Sequence, residues 1–100
     1  MFDFYYQQGS NRRKLYRVTG VSCSVGSARS NDLVLSTRHI AKRHAQWRLT
    51  ANGLFIEDLG SASGTWVNRE RIQKYGPLSE LDEITIGDVS CWLDKAPSPL

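Results

Sequence analysis

The sequence predicts an all-β fold, an antiparallel sandwich or barrel, on three observations. Short runs rich in β-branched and aromatic residues follow one another, with Gly, Asn, Asp and Ser clusters between them. No stretch keeps a helical apolar period for a useful length, and where a period exists it is two. Ten or eleven such runs fit into 100 residues, of which 40% are hydrophobic and 23% charged. That is one small domain, and a chain this short buries only about 60–70% of its extended surface. Little is left for an enzymatic cleft.

In order along the chain, Phe2–Tyr6 is an aromatic strand and Gln7–Asn11, with Gly9, a turn. Lys14–Val18 and Val21–Val25 bracket Thr19-Gly20, a two-residue turn; Ser22 and Ser24 alternate with apolar neighbours, which predicts a half-buried strand. Gly26–Asp32 consists of turn formers, Leu33–Leu35 is a brief buried strand, and Ser36–Arg43 is a basic, aperiodic loop with Ile40 tucked inward. His44–Thr50 turns Ala45, Trp47 and Leu49 inward and leads to Asn52-Gly53, a strong hairpin signal. Leu54–Leu59 returns from it, although Leu54-Phe55-Ile56 blurs the buried face. After the small-residue loop Gly60–Gly64 come strands at Thr65–Val67 and near Arg71-Ile72, with a turn at Asn68–Glu70. Ile84–Ile86, a turn at Gly87-Asp88 and Val89–Asp94 close the domain. Residues 1–95 are thus the domain, and 96–100, with Pro97-Ser98-Pro99, read as the start of a linker into a larger polypeptide.

Charge is distributed unevenly. Residues 1–50 carry nine Lys/Arg against two acids, a formal +7, while residues 51–100 carry four against eight, a formal −4. The basic half favours an anionic partner: a phosphopeptide, an acidic peptide or nucleic acid. Nucleic acid is the weakest of these, since no basic strand is interleaved with aromatics for base stacking.

Cys23 and Cys91 are too few for a disulfide framework and lack zinc-site spacing; each sits in an alternating run, so both are expected as buried free thiols. Met1–Tyr6 has no basic n-region, and no apolar run approaches the ~18 residues that span a bilayer, so a cytoplasmic location is expected. No cofactor or metal is implied, because His39 has no second ligand at useful spacing. No catalytic residue is assigned either: Ser61 and Ser63 do not fit G-x-S-x-G, and Gly60 and Gly64 are not followed by the Lys-Ser/Thr of a phosphate loop. Trp66 and Trp92 are expected to pack on a sheet face or in the core.

Several segments, in this order, resemble the forkhead-associated (FHA) domain. They are Val25-Gly26, Asn31–Leu35, Lys42–Ala45, Asp58–Ser61, Gly64–Asn68 and Asp82–Gly87. The resemblance implies an eleven-stranded β-sandwich whose loops at one end bind phosphothreonine peptides. It implies bracing roles for Gly26, His44 and Gly64. It also implies partner-binding loops that bring together Ser27, Arg29, Arg38, His39, Ala41, Lys42, Arg43, Ser61, Ala62, Ser63 and Asn68.

The family pattern has Arg, Ser and Asn at three phosphate-contact positions; here they are Ser27, Ala41 and Ser63. Losing one charged and two neutral hydrogen bonds weakens a bound phosphate by about 4 kcal/mol, roughly a thousandfold. A protein-interaction module with weakened or absent phosphothreonine recognition is therefore expected first. A phosphothreonine reader rebuilt around Arg29 and the Arg38–Arg43 loop is the alternative. The Lys-x-His-Ala variant is similar to FHA modules on bacterial secretion and pilus-assembly ATPases.

Overall fold

The computed structural model describes all residues from Met1 to Leu100. Eleven strands form two sheets. The six-stranded sheet has the order β2 (Lys14–Val18), β1 (Phe2–Gln8), β11 (Val89–Trp92), β10 (Ile84–Ile86), β7 (Thr65–Val67), β8 (Glu70–Ile72). The five-stranded sheet runs β4 (Leu33–Val34), β3 (Ser22–Gly26), β5 (Ala45–Thr50), β6 (Gly53–Asp58), β9 (Lys74–Tyr75). The β3–β4 pair is parallel, and the other pairs for which a register is defined are antiparallel.

Period-two alternation fills the space between the sheets. Phe2, Phe4, Ile84, Ile86, Val89 and Cys91 point in from one, and Cys23, Val25, Ala45, Trp47, Leu49, Leu54 and Ile56 from the other. Phe4 stacks on Trp47 across the core, with ring centroids 4.2 Å apart and planes 14° apart. A flat aromatic pair of this kind adds about 1 kcal/mol beyond the area it buries. Both cysteines are buried and free, and burial pushes the Cys23 thiol up to about 12.

Local departures from the sequence reading have physical reasons. Thr19-Gly20 joins β2 and β3, which lie in different sheets, so it is a corner and not a hairpin. Val21 stays outside β3 and is 46% exposed at that corner. Thr50 pairs with Gly53, so the β5–β6 turn consists of Ala51-Asn52, one residue earlier than expected. Gly53 then opens β6 at φ 112°, a backbone region that favours glycine. Leu54 and Ile56 face the core and Phe55 faces outward. Val34 is 40% exposed because β4 is a two-residue edge strand. Strand β9 was not foreseen; Lys74-Tyr75 has no apolar alternation and pairs only because β6 offers a free edge. No helix is long and apolar enough to cross a membrane.

Candidate functional site

Strand directions bring five connections to one end of the sandwich. These are the β1–β2 turn, the β3–β4 and β4–β5 loops, the β6–β7 loop and the β10–β11 turn. Beneath their exposed rim lies a buried layer that fixes them to one another.

His44 is at its centre and fully buried, immediately before β5. Its Nδ1 accepts the Ala41 N–H at 3.0 Å, which puts the ring proton on Nε2, 2.8 Å from the Gly64 carbonyl it donates to. One imidazole thereby ties the β4–β5 loop to the β6–β7 loop. Its backbone adds two bonds, N–H to the Val25 carbonyl and C=O from the Leu59 N–H.

Gly26 is where the β3–β4 and β4–β5 loops cross. A Cβ there would sit 2.2 Å from the Lys42 carbonyl oxygen and 2.7 Å from Asn31 Nδ2, so only glycine lets the backbones approach. Asn31 is buried and donates its amide to the Ala28 and Lys42 carbonyls at 2.8 and 2.7 Å. The Ser27 and Ala28 N–H groups bond the Ala41 and Lys42 carbonyls.

Asp58 organises the β6–β7 loop. Its carboxylate accepts the Gly60 and Ser61 N–H groups and the Ser61 and Thr65 hydroxyls. Burial alone would raise its pKa, but these four bonds together outweigh it and hold the carboxyl below its ordinary value. Ser61 Oγ also accepts the Gly64 N–H at 3.0 Å. Ser63 Oγ donates to the His39 carbonyl. Arg71, reaching over from β8, donates to the Ser61 and Ala62 carbonyls at 2.9 and 3.2 Å. Thr37 Oγ1 meets Asp88 at 2.8 Å and joins the β10–β11 turn to the set.

Asn31, Asp58, Arg71 and Thr37 were missed as site residues in the sequence. Asn31 and Asp58 fall in segments that match the family pattern, and the local capping spacing of Asp58-x-x-Ser61 is a further signal for the second. Arg71 has no such signal, since its role depends on strand pairing.

Above this layer the rim is cationic. Arg29, Arg38, His39, Lys42 and Arg43 are exposed, and none of them forms a salt bridge. Arg38, His39, Ile40, Ala41, Ala62 and Ser63 line an open groove of about 360 Å³ between the β4–β5 and β6–β7 loops. Asn68 is not brought to this end. It lies beyond the opposite end of β7, at φ 52°, where its side chain bonds Asp82 and the Glu83 N–H and so holds the entry to β10.

A rigid two-sheet scaffold presenting braced loops around an exposed cationic groove defines a binding module. The FHA domain profile matches residues 23–87, and the chain belongs to the FHA domain family. It is 32% identical over 81 residues to the glycogen accumulation regulator GarA of Mycobacterium tuberculosis, a match covering 81% of this chain and 49% of that protein. It is also 32% identical over 73 residues to the transcriptional regulatory protein EmbR of the same organism, covering 73% of this chain and 19% of EmbR. The chain thus spans about half the length, or less, of these relatives. Among solved structures, the FHA domain of CT664 from Chlamydia trachomatis superposes with a TM-score of 0.79 at 27% identity, covering 92% of this chain and 94% of that one. These relatives give no support to the secretion or pilus-assembly association expected from the sequence.

Proposed function

We propose that the chain is a non-catalytic protein-interaction module that seats a partner segment in the groove between the β4–β5 and β6–β7 loops, with phosphothreonine recognition weaker than its family's. One observation carries this reading. The bracing layer is complete, while the three family phosphate-contact positions, Ser27, Ala41 and Ser63, supply no guanidinium and no carboxamide, and Ser27 alone keeps a hydroxyl not already turned to a protein carbonyl. At Ser27 the backbone N–H is already bonded to the Ala41 carbonyl. Ala41 offers a methyl group, and the Ser63 hydroxyl is turned to the His39 carbonyl. The regulatory names of the relatives GarA and EmbR support a regulatory role.

A second reading is favoured by the unpaired cations of the rim. Arg29, Arg38, Lys42 and Arg43 meet no carboxylate, and a phosphate held by two of them would regain charge-assisted bonds with a different geometry. Amide chemical-shift mapping with a matched pair of phosphorylated and unphosphorylated threonine peptides separates the two. The first reading expects both peptides to move Arg38–Ala41, Ala62 and Ser63 with similar affinity. A phosphorylated peptide bound more than tenfold more tightly, and lost on Arg29→Ala, would establish the second.

A further inference from the structure

The two sheets turn different faces to solvent. The five-stranded sheet shows Ser22, Ser24, Gln46, Arg48 and Glu57; Phe55 is covered by Lys74 at 5.5 Å and by Gly76, and Tyr75 is the one exposed ring, at the sheet edge. That is an ordinary solvated face.

The six-stranded sheet is aromatic where it faces out. Tyr5 and Trp92 are cross-strand partners, with ring centroids 5.8 Å apart and planes 22° apart. Leu15, opposite Tyr5 on the edge strand, is 49% exposed. Trp66 stands opposite Thr85, which stands opposite Ser90. The Trp66 row thus runs through two small residues to Gln7, one pair along the sheet from Tyr5 and Trp92, and Trp66, Arg69, Thr85 and Gly87 line an open hollow of about 410 Å³. An aromatic surface on one sheet only, beside a polar one of similar extent, marks an interaction site more often than a solvated face.

Charge identifies the occupant. Arg13 lies 5.1 Å from the Tyr5 ring centre and 5.9 Å from that of Trp92, and Arg71 lies 6.0 Å from Trp66. Neither arginine has a carboxylate partner. Of the acids nearby, Asp3 is engaged with Arg17 at 3.1 Å and Glu83 with Arg69 at 3.8 Å, and Asp94, two residues beyond Trp92, is the one acid against the two unpaired arginines. The excess charge is positive, so a second copy of the same face would meet like charge. Nucleic acid would stack on open ring faces, but guanidinium groups already cover these rings.

We propose that the outer face of the six-stranded sheet is a second docking surface, distinct from the loop groove, for an acidic protein segment whose apolar side chains enter the hollow beside Trp66 while its carboxylates meet Arg13 over Tyr5 and Trp92. A guanidinium held flat on two rings keeps its N–H edges free for a carboxylate and loses little freedom on binding.

The probe is a short peptide of glutamates with leucine and phenylalanine at alternating positions, titrated into the isotope-labelled protein. Its counterpart with lysine for glutamate and a single-stranded oligothymidylate serve as comparisons. The expected result is that the acidic peptide moves the amides of Tyr5, Leu15, Thr85, Ser90 and Trp92 and leaves Ser27–Arg43 unmoved. The lysine peptide should leave the face unmoved. Arg13→Glu should weaken binding about tenfold with melting unchanged, and Leu15→Ser, which trims the exposed apolar edge and adds no charge beside Arg13, should weaken it as well. Shifts confined to the loop groove, affinity indifferent to both substitutions, tighter binding of the oligothymidylate to this face, or the same shifts appearing with protein concentration alone would each overturn the proposal. None of these outcomes bears on phosphate recognition in the loops, so the two readings fail separately.

Discussion

The buried layer under the loops and the exposed rim above them are built from the same short stretches of chain, yet they obey different rules. Gly26, Asn31, His44, Ser61 and Gly64 are buried, and each polar side chain among them has its hydrogen bonds made. A few residues away, Arg29, Arg38, Lys42 and Arg43 stand in solvent with no ionic partner. A group taken out of water must find partners or destabilise the fold, whereas an exposed cation costs the fold almost nothing. Loop position is thus fixed by the first set, and ligand preference is free to change through the second.

Substitutions should separate the two layers by size of effect. The largest loss is expected for Gly26→Ala, whose methyl would meet the Lys42 carbonyl at 2.2 Å. Since backbone and not a flexible side chain has to move, chemical denaturation should show a loss of about 3 kcal/mol. Next comes His44→Ala, which leaves the Ala41 N–H without a partner and the Gly64 carbonyl with the Gly87 N–H alone. A loss of about 2 kcal/mol is expected, and a melting temperature unchanged within error would remove His44 from the bracing role.

Asp58 gives a smaller effect with a sign set by pH. Its carboxyl titrates lower in the folded chain than in the unfolded one. The stability it contributes is present above the ordinary carboxylate range and is lost as pH falls through the folded value. Melting followed from neutral pH to about pH 3 should therefore decline, and the decline should be shallower in Asp58→Asn. Smallest of all, Arg29→Ala and Lys42→Ala should leave stability within about 0.5 kcal/mol. A larger change in either would mean that the rim also holds the loops.

Legibility in the sequence divides along the same line. The strands between the sheets were readable because Ala45, Trp47 and Leu49 or Val89 and Cys91 repeat with period two, which burial on one face imposes. His44 and Gly64 were readable through their place in the family pattern, and their contacts explain why those residue types stand there. Arg71 was not, because what it holds is defined by strand pairing, which leaves no local period; Asn31 stands in the same family pattern, but its bracing role is set by a loop crossing that the pattern does not display. Strand β9 was invisible for a related reason: two residues completing a free edge carry no pattern of their own. The family resemblance implies Asn68 among the binding loops, but β7 carries the chain to the other end of the sandwich before Asn68 is reached.

The account's central claim is that the scaffold of this FHA domain is intact while its phosphate contacts are depleted. Isothermal calorimetry on the wild type and on the triple variant Ser27→Arg, Ala41→Ser, Ser63→Asn, each with the phosphorylated and unphosphorylated threonine peptides, tests it most directly. The wild type should show little preference for phosphate. The triple variant should gain up to about 4 kcal/mol for the phosphorylated peptide alone, because His44, Gly26 and Gly64 already hold the loops. A wild type that binds the phosphorylated peptide tightly, or a correctly folded triple variant that gains nothing, would contradict the claim.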